Sequence, residues 1–110
     1  MARALSPGSR LVFAAQPFAE GSRRKLCHEE ERLFRLTDDI QGRHWTTLKT
    51  YLATLWPSYV RELENICSKE GVLFLDLNEI PFAGWSFVDR VHMTDVGYLQ
   101  VASRLIKELS

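Results

Sequence analysis

The chain has little that would commit it to a charged partner, a metal or a membrane. Its 14 basic and 14 acidic side chains cancel, and the one basic block is Arg23-Arg24-Lys25. Nucleic acid or an anionic membrane surface is therefore not the expected partner. The two cysteines, Cys27 and Cys67, lack C-x-x-C spacing. Cys67 falls on an apolar helical stripe, which predicts a buried thiol; a disulfide and the redox compartment stay open at this point. No apolar run approaches the length of a membrane span. Residues 1–9 carry Pro7 and Gly8 where a signal peptide would have its apolar centre, so they read as a tail or a truncation point, and the compartment is undecided. Internal repeats and low-complexity segments are absent. His28-Glu29 is followed at the fourth position by Arg32, so the zinc motif H-E-x-x-H fails, and His44 stands without companions. A solvated or structural role is the expectation for both histidines.

What remains is 110 residues, 45% hydrophobic and 25% charged, enough for one globular unit with a modest core. Leu11-Val-Phe-Ala-Ala-Gln-Pro17 is a nearly continuous apolar run halted by proline. Lacking polar alternation, it predicts a parallel strand covered on both faces. From His28 to Ile40 a charged helix is expected, with Leu33, Phe34 and Leu36 as apolar contacts and Glu29 to Glu31 facing Arg32 and Arg35. Gln41-Gly42 breaks it.

The next helix carries the strongest periodic signal, from Leu48 through Tyr51, Leu52, Leu55, Trp56, Tyr59, Val60, Leu63 and Ile66 to Cys67. One face stays apolar for about six turns. The stripe keeps its phase across Pro57, which predicts a kinked helix, and Gly71 supplies its stop. Val72-Leu-Phe-Leu-Asp-Leu77 is a second strand of buried type. An aromatic loop with Phe82, Trp85 and Phe87 follows, and Thr94 is placed to cap a last helix with Tyr98, Val101, Ala102, Leu105, Ile106 and Leu109 on its apolar face. Strand, helices, strand, loop and helix in this order predict an α/β chain with parallel strands. Two such strands need neighbours, so the sheet is expected to be completed by a missing N-terminal half or by a partner chain.

Between the loop and the last helix stand Asp89 and His92, three residues apart. A carboxylate and an imidazole so placed can meet within one turn, the carboxylate accepting from Nδ1–H and leaving Nε2 free to take a proton. Two ligands are too few for zinc. Asp76 and Gln16, at the carboxyl ends of the two strands, sit where α/β folds place ligands; loop capping is the plainer role for Asp76. Trp85 and Phe87 could wall an acyl or leaving group, with core packing the plainer role.

Asp89-Arg-Val-His92-Met-Thr-Asp-Val-Gly97-Tyr resembles the last block of the SGNH (GDSL-type) hydrolase family, D-x-x-H followed by a Met-Thr pair and a glycine entering the final helix. Leu11 to Pro17, Glu29-Glu-Glu-Arg-Leu-Phe34, the long helix and Gly71-Val-Leu-Phe-Leu-Asp-Leu-Asn78 are similar to the segments that precede that block. The resemblance covers residues 10–110 as the C-terminal half of the family's domain. It implies an α/β fold, the C-terminal part of a three-layer helix–parallel sheet–helix, flavodoxin-like arrangement. It further implies a serine ester hydrolase acting without a cofactor on an acylated small molecule, lipid or sugar, with His92 as base and Asp89 as its orienting carboxylate. The family's G-D-S nucleophile block and its G-x-N-D block have no counterpart here. Ser6 and Ser9 flank Pro7-Gly8 without a strand before them, and Asn65 and Asn78 lie outside any such motif. Loss of the nucleophile removes roughly 10⁶ in turnover from a serine hydrolase, so no ester hydrolysis is expected from this chain alone. The alternatives are a truncated, non-catalytic α/β module for binding or assembly, and an acyltransferase using the same base.

Overall fold

The two apolar runs that lack helical phase each supply one short strand. In the computed structural model, which describes residues 6–22 and 24–110, β1 is Val12–Ala15 and β2 is Leu73–Asp76. Arg23 of the basic block and residues 1–5 of the tail lie outside the described residues. The strands pair in parallel, Val12 opposite Leu73 and Ala15 opposite Asp76, and Phe13 stacks on Phe74 with ring centroids 6.0 Å apart. Between them run α1 (Ala19–Ser22) and α2 (His28–Glu70). A 3₁₀ turn, Leu77–Glu79, follows β2, and α3 (Asp95–Leu109) closes the chain.

The expected three-layer helix–parallel sheet–helix arrangement is not what forms. Most of the chain is helical, the only sheet among the described residues has two strands, and a single helical element spans 43 residues. The apolar run at β1 misled because continuity of apolar residues does not distinguish a covered strand from a short one with an open face. Phe13 is 42% exposed and Ala14 is also exposed, so β1 is not covered on both faces.

Helix α2 starts where Glu30 reaches back to the Cys27 N–H, 2.9 Å away, and ends on Gly71 in the left-handed region at φ 67°. Within it only Gly42 leaves helical geometry, at φ 76° and ψ −164°, a region essentially reserved for glycine. Forty-three residues in one straight helix would measure about 64 Å. The longest dimension of the molecule is 49 Å, so the break at Gly42 is a real change of direction. Asp38, before the break, bonds Trp45 Nε1 and Lys49 Nζ after it, a contact that a straight helix eleven residues long would not permit. Across Pro57 the backbone stays helical, as the unbroken phase of the stripe predicts. Burial of that stripe is uneven. Cys67 is buried as a free thiol and Trp56 meets Phe18 edge-on, whereas Leu48, Tyr51, Leu52, Tyr59 and Ile66 are exposed.

The core gathers beyond the carboxyl end of β2, whose Leu75 packs against it. Phe34 of α2, Leu77 and Ile80 after β2, and Phe82, Phe87 and Met93 of the loop pack together, with Val101 and Leu105 of α3 against them. Tyr98, Ile106 and Leu109, expected on the packed face of α3, are exposed. The Thr94 hydroxyl accepts the Gly97 N–H at 3.2 Å, the predicted N-cap. Gly97 is required by contact: a Cβ there would stand 2.3 Å from the Ser86 carbonyl oxygen. That close approach fixes α3 against the segment that carries Asp89 and His92.

Candidate active site

Residues 86–94 double back on themselves. Phe87 and Met93 form an antiparallel bridge, and the Val88 N–H donates to the His92 carbonyl at 3.0 Å. The residues between make a tight turn organised by the Asp89 carboxylate. Asp89 Oδ1 accepts the Val91 N–H at 2.9 Å and the His92 N–H at 2.7 Å. Both carboxylate oxygens face His92 Nδ1, at 3.0 and 2.9 Å. A carboxylate only accepts, so this geometry assigns the proton to Nδ1 and leaves the Nε2 lone pair outward. The imidazole is 67% exposed, and among the described residues no group bonds Nε2. Partial burial would raise the Asp89 pKa, but the two backbone N–H donors and the imidazole together hold it below its usual value. Asp89 therefore remains a carboxylate at neutral pH.

Arg90, between the pair, turns the other way. Its guanidinium grips Asp38 with a two-pronged contact, Nε to Oδ1 at 3.0 Å and Nη2 to Oδ2 at 2.7 Å. A third nitrogen bonds Glu20, and the group lies 5.0 Å from the centre of the Phe34 ring. Arg90 pulls the Asp38 carboxyl down to about 2, Lys49 contributing, against the rise that burial causes. Burial would lower the Arg90 pKa, yet Asp38 and Glu20 hold it above its ordinary value. The turn's carbonyls are also held: Arg90 O accepts the Ala19 N–H at 2.8 Å, and Val91 O accepts Gln16 Nε2 at 3.1 Å.

Comparison with protein-family models and with curated proteins returns no match. The case for this site therefore rests on its geometry.

Of the residues singled out in the sequence, Asp89 and His92 are brought together. Gln16 touches their turn through its amide. Asp76 does not: its Oδ1 accepts the Asn78 N–H at 3.0 Å and caps the 3₁₀ turn. Phe87 is fully buried in the core, while Trp85 is 44% exposed and donates its Nε1–H to Phe87 O. His28 and His44 lie exposed on α2, and Ser6 and Ser9 are exposed at the start of the described chain. Among the described residues no three His, Cys, Asp or Glu side chains group so as to hold a metal ion, and no helix is long and apolar enough to cross a membrane.

Three supports of the site carry little local signal. Glu30 is completely buried and accepts the Phe87 N–H at 3.0 Å as well as bonding Arg24. Its position three residues after the helix cap was the one available sign. Asn78, 4% exposed, takes the Phe18 N–H at 2.9 Å and donates to Gln16 O at 3.1 Å, tying the ends of both strands to the start of α1. Arg90 has partners 52 and 70 residues away, which no short window contains.

Proposed function

We propose that this chain supplies the base and its orienting carboxylate to a serine-type acyl-transfer site whose nucleophile comes from outside these residues. The observation that carries the reading is the Asp89–His92 contact: both carboxylate oxygens on Nδ1, with Nε2 outward. His92 Nε2 would take the proton from an attacking serine hydroxyl as its oxygen bonds the ester carbonyl carbon. On collapse the C–O bond to the alcohol breaks, and the same proton goes to the departing oxygen. Water then repeats the sequence on the acyl-serine, releasing the acid. Asp89 stays ionised throughout and faces the imidazolium that forms. An acylated small molecule, lipid or sugar is the substrate class, by the family resemblance of residues 89–98. A sugar hydroxyl replacing water in the second step would make the same site an acyltransferase.

The test uses the natural full-length protein with a nitrophenyl ester and a fluorophosphonate probe. A serine outside these residues should be labelled. His92→Ala should lower kcat by roughly 10⁴–10⁶ and Asp89→Asn by about 10⁴, with circular dichroism unchanged. Unchanged turnover in His92→Ala, or neither label nor hydrolysis in the wild type, overturns the proposal in favour of a non-catalytic module. A label on a serine within residues 6–110 would overturn the placement of the nucleophile.

A further inference from the structure

Asp89 is half-buried and His92 exposed on a turn of four residues, and a turn held only by its own hydrogen bonds opens readily in water. Gln16 ties the turn at Val91 O, and the residue between the pair ties it at several more points. Arg90 is the one side chain of the turn that points inward, and it is 13% exposed. Its main chain is held to α1 through Ala19 N–H, and its side chain to α1 through Glu20 and to α2 through both oxygens of Asp38. The two-pronged contact fixes the orientation of the guanidinium plane as well as its position, which a single ammonium cannot do. Asp38 is itself braced by Lys49 and Trp45 from beyond the Gly42 break.

We infer that Arg90 is the positioning residue of the Asp89–His92 pair, anchoring the turn so that His92 is held as the Nδ1–H tautomer with Nε2 outward. The inference deepens the acyl-transfer reading and takes its meaning from it, but the tautomer can be read without any activity. Removing the anchor leaves Asp89 and His92 in the chain and covalently as close as before. What is lost is the fixed geometry that presents both carboxylate oxygens to one ring nitrogen.

The measurement is nitrogen-15 NMR of the full-length protein carrying labelled histidine, at a pH where the imidazole is neutral, with His92 assigned by the signal missing in His92→Gln. Wild-type His92 should show Nδ1–H as its major form. Arg90→Lys keeps the charge but not the fork, and Asp38→Asn keeps the shape but not the carboxylate. Each should lower the Nδ1–H to Nε2–H ratio roughly tenfold, the worth of one charge-assisted hydrogen bond. Thermal unfolding is recorded in parallel, and a spectrum counts from whichever of the two variants unfolds cooperatively. Gln16→Ala, which loosens the turn only at Val91 O, should leave the ratio near wild type. A folded Arg90→Lys or Asp38→Asn protein with the wild-type ratio overturns the inference. A wild-type Nδ1–H form without ester hydrolysis would remove the acyl-transfer reading and leave the role of Arg90 standing.

Discussion

The doubled-back segment of residues 86–94 and the helical arm of residues 43–66 both carry large apolar side chains, and only the first buries any of them outright, while its Val88 and Val91 stay exposed. In the first, Phe87 and Ser86 are fully buried. In the second, Tyr51 is 62% exposed and Tyr59 51%. Hydrophobicity does not separate them; what differs is where the polar groups go. Around Phe87 the polar atoms are closed in pairs: Thr94 N–H on Ser86 O, the Thr94 hydroxyl on Trp85 O, Gln100 Nε2 on Ser86 Oγ, and Phe87 N–H on Glu30. A peptide group can leave water only when such partners exist, and the apolar side chains follow it inside. A helix satisfies its own backbone, so nothing compels the arm to find a partner.

The sharpest way to break the contrast is at Glu30. Glu30→Ala leaves the Phe87 and Cys27 N–H groups without their acceptor and Arg24 without its carboxylate. It should cost about 3–5 kcal/mol, read as a fall in the midpoint of urea unfolding. Gly42→Ala comes next. No neighbouring atom lies within 4 Å of the added Cβ, so the loss of about 1–3 kcal/mol would come from backbone strain alone. At the other extreme, Tyr51→Ser combined with Tyr59→Ser should change stability by no more than about 0.5 kcal/mol each. A larger loss would mean that the arm is covered in the protein as it exists in solution.

The same contrast explains what could be read from the residues. Signals confined to a few positions were legible: the stop at Gly71, the cap at Thr94, the break at Gly42, the continuation through Pro57 and the contact of Asp89 with His92. Each depends on φ, on a missing N–H or on a side chain reaching its own turn. The parallel pairing of β1 and β2 followed from element order. The layered arrangement did not, because whether a face is covered is decided by other segments. Phe13 and Tyr51 look like core residues in any window, yet both are exposed. The supports of the candidate site were hidden for a related reason: Glu30 meets Phe87 across 57 residues and Arg90 meets Asp38 across 52.

The 67% exposure of His92 has a dielectric consequence. The attraction between an imidazolium and a carboxylate scales inversely with the effective permittivity between them. It is about fourfold stronger at the value near 20 that suits a protein surface than at about 80 in bulk water. On the open turn, water damps the hold of Asp89 on a protonated His92. Under the acyl-transfer proposal, a surface that brought a nucleophile to Nε2 would also expel that water, and would strengthen the ion pair at its existing 2.9 Å without moving either residue.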